Sequence, residues 1–206
     1  MQHGMIGLLW RAAVVFAASA SLAQAHHVMD YAMPATALDG FLSGLGHPVI
    51  GLDHLLFIAG AGVFAAQLRR GFLLPLIFVA ASILAAAWRA GGASWEMSEV
   101  WVAGSLVALG VVMLVARNPG RGLVAALFLV SGTFHGYALA VAIVGAERTP
   151  LVAYFAGLTV IQCAIALAAW GAATWLVGNR PRWPLQQLAG AAVGAAGLVF
   201  VGLAAL

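Results

Sequence analysis

Six apolar runs fill most of the sequence after residue 48: 49–68, 72–88, 100–116, 123–144, 151–177 and 185–206. Each is close to the roughly 20 residues that carry a helix across a bilayer. In hydrocarbon every backbone N–H and C=O must be satisfied within its own segment, so runs of this length have to be helices. Composition agrees. Of 206 residues, 64% are hydrophobic and 7% charged, with no lysine. A soluble domain of this size could not cover itself with so little charged surface. The expected fold is all-α, a polytopic membrane protein with six transmembrane helices in a compact bundle. The second run is short and the fifth long, which predicts tilt or a kink rather than a different count. Small residues crowd the runs, as in "AGAGVFAA" and "AGAAVGAAG", and let helix backbones approach closely. No fixed-period repeat is visible, and no inverted repeat stands out.

The charges that remain report orientation. Arg69, Arg70, Arg117, Arg121, Arg180 and Arg182 fall in the connections on one side, Arg89 and Arg148 on the other. Arginine excess marks the cytoplasmic side, so both termini of the mature chain are expected outside. Because the arginines flank apolar runs rather than form a patch, the net charge of +3 does not point to nucleic acid. Residues 1–25 read as a secretory signal: Arg11, the apolar "AAVVFAASASL", and "AQA" at 23–25 as a small-x-small cleavage site. Cleavage is expected after Ala25, with an uncleaved anchor helix as the alternative. Residues 26–48 then form a periplasmic leader with a short surface or re-entrant helix, and 49–206 the six-helix domain. A single cysteine, Cys163, allows neither an internal disulfide nor a cysteine-pair metal site.

Chemistry concentrates in "GHPVIGLDHLLFIAG". Pro48 suits the first position of a helix, where its missing N–H costs nothing, which would put His47 at a helix entrance. Asp53 and His54 would lie one and a half to two turns further in, roughly 9 Å by helical rise. The histidines are seven positions apart, so a regular helix would put them on one face. Imidazole nitrogen with carboxylate oxygen suits first-row divalent ions, and an ionised aspartate in hydrocarbon usually marks a pathway or site. The plainer reading is an Asp–His pair that satisfies itself while pinning a helix entrance; the second histidine weakens it. A third, His135 in "SGTFHGYALA", lies well inside the fourth run beside Ser131, Thr133 and Tyr137. Alone it would pass for a helix–helix hydrogen bond. With the first motif it becomes a candidate ligand.

These residues carry a specific resemblance. "GHPVIGLDHLLFIAGAGVFAAQL" resembles the signature of the HupE/UreJ family of bacterial nickel/cobalt permeases, and "FHGYA" is similar to that family's second histidine motif. The resemblance implies that His47, Asp53 and His54 line an ion path which His135 meets from the fourth span. Some members carry a further acidic residue just after the second motif; this chain has Ala138, Leu139 and Ala140 there, which leaves the metal open. The expectation is an inner-membrane permease, not an enzyme, moving a divalent transition-metal ion from periplasm to cytoplasm. Nickel or cobalt is the first choice of cargo, copper or zinc the alternative.

Other features are weaker. "HHVMDYAM" gathers His26, His27, two methionines and Asp30 and reads either as an ion-collecting tail, which would favour copper, or as a plain leader. Glu96 and Glu99 could attract cations at the outer face, although a solvated loop is the simpler reading. Thr159, Gln162 and Cys163 read as packing. Trp88, Trp95, Trp101, Trp175 and Trp183 sit where interfacial anchors belong. No nucleotide-binding loop is present, so the membrane potential is the expected drive. Lipid and the metal ion are the expected partners; a homo-oligomer or metalloenzyme-maturation proteins are the further ones. Two other classes stay open: an accessory subunit of a membrane complex with structural or cofactor-binding histidines, and a membrane enzyme with a His/Asp metal site.

Overall fold

The computed structural model describes residues 33–96, 98–116, 119–179 and 184–205. The expected signal sequence and cleavage site, His26, His27, Arg117, Arg180, Arg182 and Trp183 lie outside them. Every regular element among the described residues is helical. The order is α1 (Ala37–Ile50), α2 (Leu52–Ala65), α3 (Leu74–Ala90), α4 (Ser98–Val115), α5 (Arg121–Leu139), α6 (Arg148–Asn179) and α7 (Leu185–Ala204). Short 3₁₀ turns at Gly71–Leu73 and Val141–Ile143 precede α3 and follow α5.

Counting spans changes the sequence expectation. Among the described residues four helical stretches are long and apolar enough to cross a membrane, Gly71–Ala90, Arg121–Ile143, Arg148–Asn179 and Leu185–Ala204. A fifth arises only if α1 and α2 cross as one broken span, because they meet at 77°. The third expected span is shorter, Glu99–Val115. The fifth expected span is the longest helix, α6, at 32 residues, roughly 48 Å at 1.5 Å per residue. It overshoots a hydrocarbon core of about 30 Å.

The short helix expected before the first apolar run also extends into that run. Thr36 caps α1 through a reciprocal pair of bonds: its hydroxyl accepts from the Asp39 N–H, and the Asp39 carboxylate accepts from the Thr36 N–H. The helix then continues through Pro48 to Ile50. Pro48 is therefore in the last turn of α1, not at the start of a helix. A proline there deprives the Gly44 carbonyl of its partner and crowds it, which a helix tolerates one turn from its end. Gly51 leaves the helical region (φ −72°, ψ 96°), and α2 starts at Leu52.

Glycines set how the helices pair. Gly40 packs on the Pro150 backbone, Gly44 on Tyr154 and Leu158, and Gly62 on Ala166, so the α1–α2 unit runs alongside α6 in the same direction. Gly132 meets Phe78 and Gly136 meets Ser82, which makes α5 and α3 parallel too. Gly110 meets Gly190 and Gly194 while Gly197 meets Val107, so α4 and α7 are antiparallel. Gln186 ties that last pair by donating to the carbonyls of Met113 (2.7 Å) and Ala116 (2.9 Å), two of the orphan acceptors at a helix C-terminus. Phe57, Phe64, Phe78, Leu106, Leu109, Met113 and Phe128 fill the interior. Large apolar residues also face outward, Leu84 (73% exposed), Trp175 (65%) and Leu198 (64%) among them. An apolar interior under an apolar exterior suits lipid rather than water.

Candidate functional site

The break between α1 and α2 organises the site. The last turn of α1 ends in carbonyls, and the first turn of α2 opens with N–H groups, that hydrogen bonds within a helix do not satisfy. His47 belongs to the first end, Asp53 and His54 to the second. Asp53 sits in the first turn of α2, where a carboxylate complements the positive end of the helix. Its Oδ1 accepts from the His54 main-chain N–H at 2.8 Å and lies 3.9 Å from His54 Nε2. The His47 and His54 rings stand edge to face with centroids 6.2 Å apart. Both histidines are buried, while the Asp53 side chain stays 25% exposed. With the helix broken between them, the two histidines meet across a bend instead of along one face.

Each histidine is held from behind. His47 Nδ1 lies 2.8 Å from the Tyr154 hydroxyl, which donates in turn to the Leu139 carbonyl. His54 Nδ1 lies 2.8 Å from His135 Nδ1, and His135 Nε2 lies 2.9 Å from the Ser105 hydroxyl. Ser105 donates to the carbonyl of Val102 at 2.7 Å. His135 is fully buried, its ring 4.7 Å from that of Phe57 and 5.4 Å from that of Phe78. Gly136 lets α5 approach closely enough for this, since a Cβ there would fall 2.0 Å from the Ser82 carbonyl oxygen.

His47, Asp53, His54 and His135 thus form one connected constellation drawn from α1, α2 and α5. It is a chain of contacts rather than a cage: among the described residues no three His, Cys, Asp or Glu side chains surround one metal-sized point. Glu96 and Glu99 are exposed, in the α3–α4 link and the first turn of α4. Thr159 bonds back to its own helix at Phe155. Gln162 is fully buried and donates to Ser82 at 3.0 Å, with no hydrogen bond to its Oε1. Tyr154 and Ser105 carry part of the geometry, and nothing in "LVAYFAG" or "AGSLVAL" singles them out. A hydroxyl inside an apolar run is indistinguishable from packing until its partner on another helix is known.

The sequence profile described as HupE / UreJ protein matches residues 14–200. The chain belongs to the HupE/UreJ family. Protein HupE of Rhizobium leguminosarum bv. viciae is 27% identical over 162 residues, which cover 77% of this chain and 83% of that protein. No solved structure matches the chain. For a HupE/UreJ protein the "HPVIGLDH" motif now has a shape: the helix breaks at its glycine, Gly51, and its polar residues gather at the break.

Proposed function

We propose that this chain is an inner-membrane permease that carries a divalent transition-metal ion, nickel or cobalt first, from periplasm to cytoplasm. One observation carries the reading: two imidazoles and a carboxylate meet at the break of a discontinuous helix inside an otherwise apolar helical protein. Broken helices with free backbone ends recur at ion sites within membranes, because carbonyls at a helix C-terminus favour cations. Here α1 supplies such an end beside His47. Nitrogen and oxygen donors together suit nickel, cobalt, copper and zinc. Membership of the HupE/UreJ family favours the first two. In this scheme α1–α2 crosses as one broken span and α4 as a short one, giving six, with both termini periplasmic.

The ion would shed part of its water at His47, have its charge balanced by Asp53, and be held by His54, with His135 behind that ring. Inward movement down the membrane potential releases about 2.3 kcal/mol per charge per 100 mV. Purified protein in proteoliposomes, with an inside-negative potential, should take up Ni²⁺ or Co²⁺ saturably and in preference to Zn²⁺ or copper ions. Absence of uptake for all four, with a stoichiometric partner retained through purification, would replace this reading by that of an accessory subunit.

A further inference from the structure

We infer that Tyr154, Ser105 and His135 are positioning residues: they fix the tautomers of His47 and His54 so that each presents Nε2 to the metal, and His135 is not itself a ligand. The argument follows the protons. A tyrosine hydroxyl has one to give, and Tyr154 gives it to the Leu139 carbonyl. Toward His47 it can only accept, so His47 carries its proton on Nδ1. A neutral imidazole protonated there has its lone pair on Nε2. The second chain is one residue longer. Ser105 donates to the Val102 carbonyl and therefore accepts from His135 Nε2. That leaves His135 Nδ1 as an acceptor, and the nitrogen 2.8 Å away, His54 Nδ1, must be the donor. In its neutral form His54 too has its lone pair on Nε2, the atom 3.9 Å from the Asp53 carboxylate.

Both chains end on a main-chain carbonyl, which can only accept, so the direction of each is imposed. The two helices on either side of the break are read out in the same way, by hydroxyls from α6 and α4. The spacing of the two Nδ1 atoms supports a hydrogen bond over a shared ion. Two nitrogens bonded to one tetrahedral metal at about 2.0–2.1 Å stand about 3.3–3.4 Å apart, against 2.8 Å here. His135 also has little room to turn, with Phe57 and Phe78 against its ring. Metal-bound histidines are characteristically oriented through their other nitrogen in this manner, and loss of such a partner typically costs about 10–100-fold in metal affinity.

The metal part of this inference rests on the transport reading; the tautomers do not. Nitrogen-15 NMR of histidine-labelled protein in lipid bilayers reads both. Without metal, Nε2 should be unprotonated in His47 and His54 and protonated in His135. Added Zn²⁺, a diamagnetic probe, should shift Nε2 of His47 and His54 and leave both nitrogens of His135 in place. Tyr154→Phe should abolish the single tautomer of His47 alone and weaken Zn²⁺ binding about 10–100-fold. Ser105→Ala should do the same to His54 and His135 and spare His47. The opposite tautomer at His47 or His54 in the wild-type spectrum, or a Zn²⁺ shift at His135 Nδ1, overturns the inference whatever the variants do. Expected tautomers with no Zn²⁺ shift, and no paramagnetic broadening of His47 and His54 by Ni²⁺ or Co²⁺, would instead overturn the metal role together with the transport reading.

Discussion

Asp53 separates a transport site from a structural pin. Asp53→Asn keeps the shape and an oxygen able to accept from the His54 N–H, but removes the negative charge. One charge at ~4 Å from the ion, at an effective dielectric near 20, is worth about 4 kcal/mol, on the order of a thousandfold in occupancy before water and neighbours rearrange. Asp53→Asn should therefore accumulate to wild-type levels in membranes yet lose most uptake at limiting metal. Immunoblotting and initial-rate uptake on the same membranes check this, and unimpaired uptake would take Asp53 out of the mechanism. The sequence pointed to this residue because a carboxylate entering an apolar run has few uses other than binding. It could not point to Tyr154, whose role exists only because α6 lies beside α1.

At the scale of elements, the break at Gly51 and the close contact at Gly44 answer different questions. Gly51 has a negative φ open to any L residue, so alanine there brings no backbone strain. Its Cβ would fall 2.8 Å from His54 Cδ2, and the ring must turn away. Gly51→Ala should fold normally and show uptake reduced at limiting metal by on the order of tenfold, the lower end of the loss expected when a metal-binding histidine is misoriented. Gly44 is the contrary case. A Cβ there would lie 2.2 Å from the Tyr154 main-chain oxygen, and a backbone atom cannot swing aside. Gly44→Ala should push α1 off α6 and cost about 1–3 kcal/mol, visible as a lower melting temperature in detergent. If Gly51→Ala melts early while Gly44→Ala does not, the assignment of break and packing contact is reversed.

Among the described residues the helices pair with a regularity that the sequence hides. With α1–α2 taken as one unit, the close pairs join the first unit with the fifth, the second with the fourth and the third with the sixth. Exchanging the first three units with the last three leaves this pairing unchanged. His54 and His135 come from the exchanged first and fourth units and touch, so the site lies where the halves meet. The same topology sets which ends face which side. In a Cys163→Ala background, Glu147→Cys, an exposed position before α6, should react with a membrane-impermeant maleimide in intact spheroplasts. Arg69→Cys, exposed after α2, should react only once the membrane is opened. Labelling of both in intact spheroplasts, or the reverse order, would refute the proposed orientation.

Apolar run length and the near-absence of charge were enough to require helices that a membrane could hold. The placement of His47, Asp53 and His54 within eight residues was enough to mark the candidate site, because burying charge is costly wherever the chain puts it. Helix boundaries were not decided at that level. A proline next to an apolar run suits a helix start as well as a last turn, and only the packing of α1 on α6, through Gly40 and Gly44, carries the helix on to Ile50. Tertiary structure alone also settled the partners of the histidines. Proton direction along His47–Tyr154–Leu139 and His54–His135–Ser105–Val102 depends on atoms up to 107 residues apart, and no local pattern encodes a contact whose two halves are each ordinary in their own helix.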